Sequence, residues 1–126
     1  MTPRLLISDD DQALRQSLAE AMERIGFEVI LAADGQEAFE VLAVTPVHLA
    51  LVDVHMPRLS GLQLIERLRE SQLQLPCILM SAALDESIRH EAAAMRVFRI
   101  IGKPFRLAEI AKTVQLGLAE HYGWAG

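Results

Sequence analysis

At 126 residues, 52% of them hydrophobic and 23% charged, the chain has the size and composition of one globular domain with its own core. A formal charge of −5 excludes the basic stripe that a nucleic-acid footprint requires. One cysteine, Cys77, excludes a disulfide framework and suits a reducing compartment; with no leader-like N-terminus and no apolar run of membrane-spanning length, a soluble cytoplasmic protein is expected.

Arg4 to Ser8 reads as a short strand (Leu5, Leu6, Ile7) that runs into three acids, Asp9, Asp10 and Asp11. Leu14, Leu18, Ala21, Met22 and Ile25 then form a helical stripe, with Asp10 or Asp11 as its cap and Gly26 as its end. Phe27 to Leu31 alternates as a strand, and Asp34 with Glu37 starts a helix through Leu42, broken at Thr45-Pro46. Leu49 to Val52 is a buried strand ending on a carboxylate, Asp53, before Met56-Pro57 stops it. Ser60 with Gln63 opens a third helix whose buried side is Leu64, Ile65 and Leu68.

After Pro76, Cys77 to Met80 is a continuous apolar strand ending at Ser81, and Asp85 opens a helix bearing Ile88, Ala92 and Met95. Val97 to Ile101 is strand-like around Arg99. Gly102-Lys103-Pro104 turns the chain into a last helix carrying Leu107, Ile110, Val114 and Leu118. One domain is expected over 1–121, with 122–126 a tail or linker stub. With no output domain after the last helix, a stand-alone domain or an expressed fragment is expected.

Five strand–helix repeats predict a parallel sheet with helices on both faces. The first, third and fourth strands are unbroken apolar runs, as centrally buried strands should be, while Glu28 and Arg99 suit edges. That points to a doubly wound (βα)5 α/β fold of flavodoxin-like strand order 2-1-3-4-5, whose ligand site lies beyond the carboxyl ends of the strands.

Asp9, Asp10, Asp53, Ser81 and Lys103 all fall at that edge. Buried strands rarely end on a free charge unless something at the strand's mouth uses it. Two carboxylates at ~4 Å repel by roughly 4 kcal/mol in a partly shielded site, so either one is protonated or a cation sits among them. An all-oxygen set without His or Cys favours Mg²⁺ over zinc. The metal and Lys103 would offset an incoming phosphoryl group, Ser81 would donate to one of its oxygens, and Asp53 would be the nucleophile that takes it up.

Ser8-Asp9-Asp10-Asp11, Leu51-Val52-Asp53-Val54-His55-Met56-Pro57, Met80-Ser81-Ala82 and Lys103-Pro104-Phe105 together resemble the marks of the response-regulator receiver domain of two-component signalling, over nearly the whole chain. The resemblance implies that Asp9 and Asp10 hold Mg²⁺, with the His55 backbone carbonyl completing the site. It implies that Asp53 is the phosphoacceptor, Ser81 the switch hydroxyl and Lys103 the phosphate-contacting lysine. The implied donor is a histidine kinase or phosphotransfer protein, and the implied output is a changed face formed by helix four, strand five and helix five, which also offers a possible homodimer contact. Such a domain is not an enzyme beyond catalysing its own phosphorylation and dephosphorylation, and needs neither nucleic acid nor membrane.

The chain departs from the family pattern in three places: Ser81 stands where threonine is commoner, His55 puts an imidazole at the site's mouth, and Ile100 replaces the usual Tyr or Phe. Phe98, two residues earlier, is expected on the same strand face as Ile100 and available to substitute for it. Ile100 also supports an alternative, a receiver-like scaffold that binds partners without phosphorylation. A third class, an enzyme acting on external substrates, would want a Gly-rich phosphate loop after strand one, where this chain has three acids.

Simpler roles compete for several residues. Asp11 serves as a helix cap ahead of any metal role. Cys77, Met56 and Met80 read as core, and His48, His90 and His121 as surface or boundary residues. Tyr122 and Trp124 either pack on the last helix or touch a partner, and the sequence pattern leaves both open.

Overall fold

The computed structural model describes residues 2–124. Strands β1 (Arg4–Ser8), β2 (Glu28–Ala32), β3 (Leu49–Asp53), β4 (Cys77–Ser81) and β5 (Arg99–Gly102) alternate with helices α1 (Gln12–Ile25), α2 (Gly35–Val44), α3 (Gly61–Glu70), α4 (Glu86–Ala94) and α5 (Leu107–Tyr122). All four strand pairings are parallel, in the order β2-β1-β3-β4-β5. β3 and β4, buried along their whole length, are central, and the strands carrying exposed Glu28 and Arg99 are the edges.

The helices start where short polar side chains satisfy free N–H groups. Asp11, Asp34 and Asp85 each accept from the third residue on, and Ser60 with Gln63 forms a complete reciprocal capping box. Gly26, in the left-handed region at φ 116, ends α1. Two strands start later than the hydrophobic pattern suggests. The Phe27 and Val97 N–H groups are spent closing the preceding helices, on the Met22 and Ala92 carbonyls, so β2 starts at Glu28 and β5 at Arg99.

Alternation along the strands divides the core in two. Leu6, Val52 and Leu79 face α2, α3 and α4, through Ala38, Leu42, Leu64, Ile65, Leu68 and Ala92. Leu5, Ile7, Leu51, Ile78 and Met80 face α1 and α5, through Leu18, Met22, Ile110, Val114 and Leu118. Cys77 is fully buried, and burial pushes its thiol up to about 11. At the amino edge of the sheet, His48 Nδ1 accepts from the Arg4 N–H, and the Tyr122 hydroxyl donates to the His48 carbonyl at 2.7 Å. Tyr122 and Trp124 stack on each other and meet the His48 ring edge-on, so the end of α5 packs against the sheet. Among the described residues no helix is long and apolar enough to cross a membrane.

Candidate functional site

β1, β3, β4 and β5 all end at one edge, and the strand order reverses between β1 and β3. Four of the singled-out side chains meet there. Asp9, just past β1, is fully buried; Asp53, the last residue of β3, is 5% exposed; Asp10 is exposed. Carboxylate oxygens of the three lie within 4.8 Å of one another. Lys103, just past β5, spans two of them: Nζ is 2.8 Å from Asp9 Oδ2 and 3.0 Å from Asp53 Oδ1.

The lysine is placed by the β4–β5 ladder. Ser81 pairs with Gly102, and the Lys103 N–H donates to the Ser81 carbonyl at 2.7 Å. The Ser81 hydroxyl oxygen accepts from the Ala83 N–H at 3.1 Å, which leaves its own proton free to donate. Asp53 is placed from behind by Gly61, whose N–H donates to the Val54 carbonyl at 2.9 Å. A Cβ at Gly61 would collide with the Asp53 carbonyl oxygen, so only glycine lets α3 start this close.

Charge in the cup is out of balance. Burial raises the Asp53 carboxyl above its usual value; the Lys103 hydrogen bond and charge oppose the rise, and Asp9 and Asp10 add to it. Burial pulls the Lys103 ammonium down, but bonds and charges from Asp9 and Asp53 outweigh it, and its value too is raised. An isolated ion pair would lower its carboxylate, so the direction at Asp53 follows from burial and from three acids sharing one lysine. Three carboxylates share one ammonium at salt-bridge distance, an excess of negative charge that suits a divalent cation. An oxygen-only donor set fits a hard cation such as Mg²⁺ better than zinc or copper.

Other residues fall to the sides of this cup. Asp11 caps α1, its Oδ1 accepting from the Leu14 N–H at 3.2 Å. His55 is exposed in the β3–α3 loop; Met56, half-buried in the same loop, accepts from the Ser8 hydroxyl at 3.1 Å, and Met80 is core. Phe98 does not share a face with Ile100. It precedes β5 and packs toward α5, close to Gly117, whereas Ile100 joins the α2–α4 side. The two-residue alternation fails because Phe98 lies outside the strand, with the exposed Arg99 guanidinium over its ring at 4.4 Å.

Two contacts at the site have no counterpart in the sequence reading. Arg15 Nη1 donates to the Asp9 main-chain carbonyl at 2.6 Å. The available signal was a cation in the first turn of α1, where the helix dipole disfavours one. Arg58, at φ 69, pairs with Asp34 at 3.4 Å and ties the β3–α3 loop to the start of α2. Nothing local in sequence announces that pair, since its partners are 24 residues apart.

A doubly wound parallel sheet with acids and a lysine converging at its switch point defines a class of α/β domain that takes its ligand at the carboxyl edge. Within that class the chain belongs to the response regulator receiver domain family, which it matches over residues 5–115. It is 30% identical over 118 residues to response regulator RR06 of Streptococcus pneumoniae, covering 94% of this chain and 54% of that protein. It is 36% identical over 110 residues to response regulator MprA of Mycolicibacterium vanbaalenii, covering 87% and 48%. The chain therefore spans about half the length of the curated relatives it matches. Among solved structures, the receiver domain of Francisella response regulator 1452 superposes with a TM-score of 0.89 at 26% identity, over 94% of this chain and 98% of that one. Chemotaxis protein CheY4 of Vibrio cholerae superposes with a TM-score of 0.87 at 26% identity, over 94% and 100%.

Proposed function

We propose that this domain is a phosphorylation switch in which Asp53 accepts a phosphoryl group from a phosphohistidine donor with Mg²⁺ bound. The observation that carries the reading is the convergence of Asp9, Asp10 and Asp53 within 4.8 Å, with Lys103 Nζ bridging two of them. Asp9 and Asp10 would hold the ion with Asp53 and the His55 main-chain carbonyl, and the bound ion supplies positive charge that screens the two anions from each other.

An Asp53 carboxylate oxygen attacks phosphorus; the O–P bond forms, the P–N bond to imidazole breaks, and the electron pair leaves with the ring. Burial and the neighbouring acids raise the Asp53 carboxyl above its usual value, which makes its oxygen a more basic nucleophile than an ordinary carboxylate, while the ion and Lys103 would offset the charge that the phosphoryl group adds. Lys103 is already within salt-bridge distance and turns from the carboxylates to a phosphoryl oxygen. The Ser81 hydroxyl donates its free proton to another oxygen, which draws the β4–α4 loop inward. Because Ser81 and Lys103 are linked through main chain, that movement reaches β5 and the α4–β5–α5 face, which then changes its affinity for a downstream partner or a second copy.

Amide chemical shifts before and after adding Mg²⁺ with beryllofluoride test the reading. The expected result is shifts at the cup that extend through residues 81–102 to the α4–β5–α5 face and vanish in Asp53→Asn. A native protein unaffected by beryllofluoride would replace the switch with a scaffold that binds its partners constitutively.

A further inference from the structure

Asp9 and Asp10 are held very unequally. The Asp9 carboxylate accepts from the Asp11 N–H at 2.9 Å and from Lys103 at 2.8 Å. Asp10 is exposed, and among the described residues no hydrogen bond restrains its carboxylate, yet it lies within 4.8 Å of the other two acids. Only the backbone brings it there. The peptide joining Asp9 to Asp10 is planar, so whatever fixes the Asp9 carbonyl also fixes where the Asp10 nitrogen and Cα lie, the base from which its carboxylate reaches the cup.

That carbonyl is gripped by Arg15. The guanidinium turns back from the first turn of α1, which contains no acid to offset it, and donates at 2.6 Å. A charge-assisted bond of this length is among the stronger kinds. A cation placed against the helix dipole has a reason to be there if its task is this contact.

We propose that Arg15 is a positioning residue for divalent-cation binding, acting through the Asp9–Asp10 peptide to hold the Asp10 carboxylate in the cup. The proposal rests on the metal-dependent reading above. Charge alone predicts the opposite sign: removing a cation beside the site strengthens Mg²⁺ binding, whereas removing the anchor of the peptide weakens it.

Calorimetric titration of the full chain with Mg²⁺ separates the two. Arg15→Met should weaken Mg²⁺ roughly tenfold, the lower end of what an outer-shell partner contributes. Arg15→Lys, which keeps the charge and a donor, should recover part of that loss. In an Asp10→Asn background Arg15→Met should change affinity no further. Should Arg15→Met fail to fold by circular dichroism, Arg15→Gln gives the same comparison, with weaker binding expected. Equal or tighter Mg²⁺ binding in the neutral variants, or equal weakening with and without Asp10, overturns the assignment. A native protein that binds no Mg²⁺ overturns the metal-dependent reading itself, a result distinguishable from an unaffected Arg15 variant.

Discussion

Asp53→Asn should make the metal-free protein more stable, although it removes a residue that is ion-paired in the structure. At an effective dielectric of about 20, Lys103 at 3.0 Å attracts the Asp53 carboxylate by roughly 5.5 kcal/mol. Asp9, at 4.8 Å or less, repels it by roughly 3.5 kcal/mol or more. Asp10 is exposed and screened, and adds about 1 kcal/mol. These terms nearly cancel, so the desolvation of a side chain only 6% exposed decides the sign, in line with the raised Asp53 value. A group raised above its usual 3.8 stabilises the fold fully below that pH and loses the contribution as pH climbs through its folded value.

Urea denaturation in EDTA at neutral pH should therefore find Asp53→Asn more stable by ~1 kcal/mol, an advantage that fades toward pH 4. With Mg²⁺ at ten times its Kd the native protein gains ~1.4 kcal/mol and the variant much less, which closes the gap. A variant less stable than native in EDTA, or one that gains as much from Mg²⁺, would refute the electrostatic account of the cup.

Three further outcomes follow from single contacts. Gly61→Ala should destabilise by roughly 1–3 kcal/mol in urea denaturation and weaken Mg²⁺ binding, because the new methyl displaces the Asp53 main chain. Lys103→Met, leaving three acids without a counter-charge, should destabilise in EDTA and be rescued by Mg²⁺; indifference to the metal would contradict this. Tyr122→Phe should lower stability by about 1 kcal/mol through loss of the bond to the His48 carbonyl, with Mg²⁺ affinity unchanged because that contact lies at the opposite edge of the sheet.

Much of this was legible in the chain because each signal was local. Apolar runs that end on Asp53 and Ser81 announce strands buried on both faces, and Asp34 and Ser60 announce helix starts by a bond three residues long. Strand order follows from which runs carry a charge, and that order alone brings Asp9, Asp53 and Lys103 to one edge. Phe98 failed because periodicity was carried one residue beyond the strand, to the position just after the bond that closes α4. Arg15 and Arg58 act on partners through main chain or across 24 residues, and such contacts leave no periodic trace.

The most direct test of the central claim is phosphate incorporation from a small phosphodonor, read by intact-mass spectrometry and peptide mapping. One acid-stable, base-labile phosphate on Asp53, formed in Mg²⁺, absent in EDTA and absent in Asp53→Asn, is the result the cup geometry predicts. Incorporation that ignores Mg²⁺, or that maps to another residue, would contradict it.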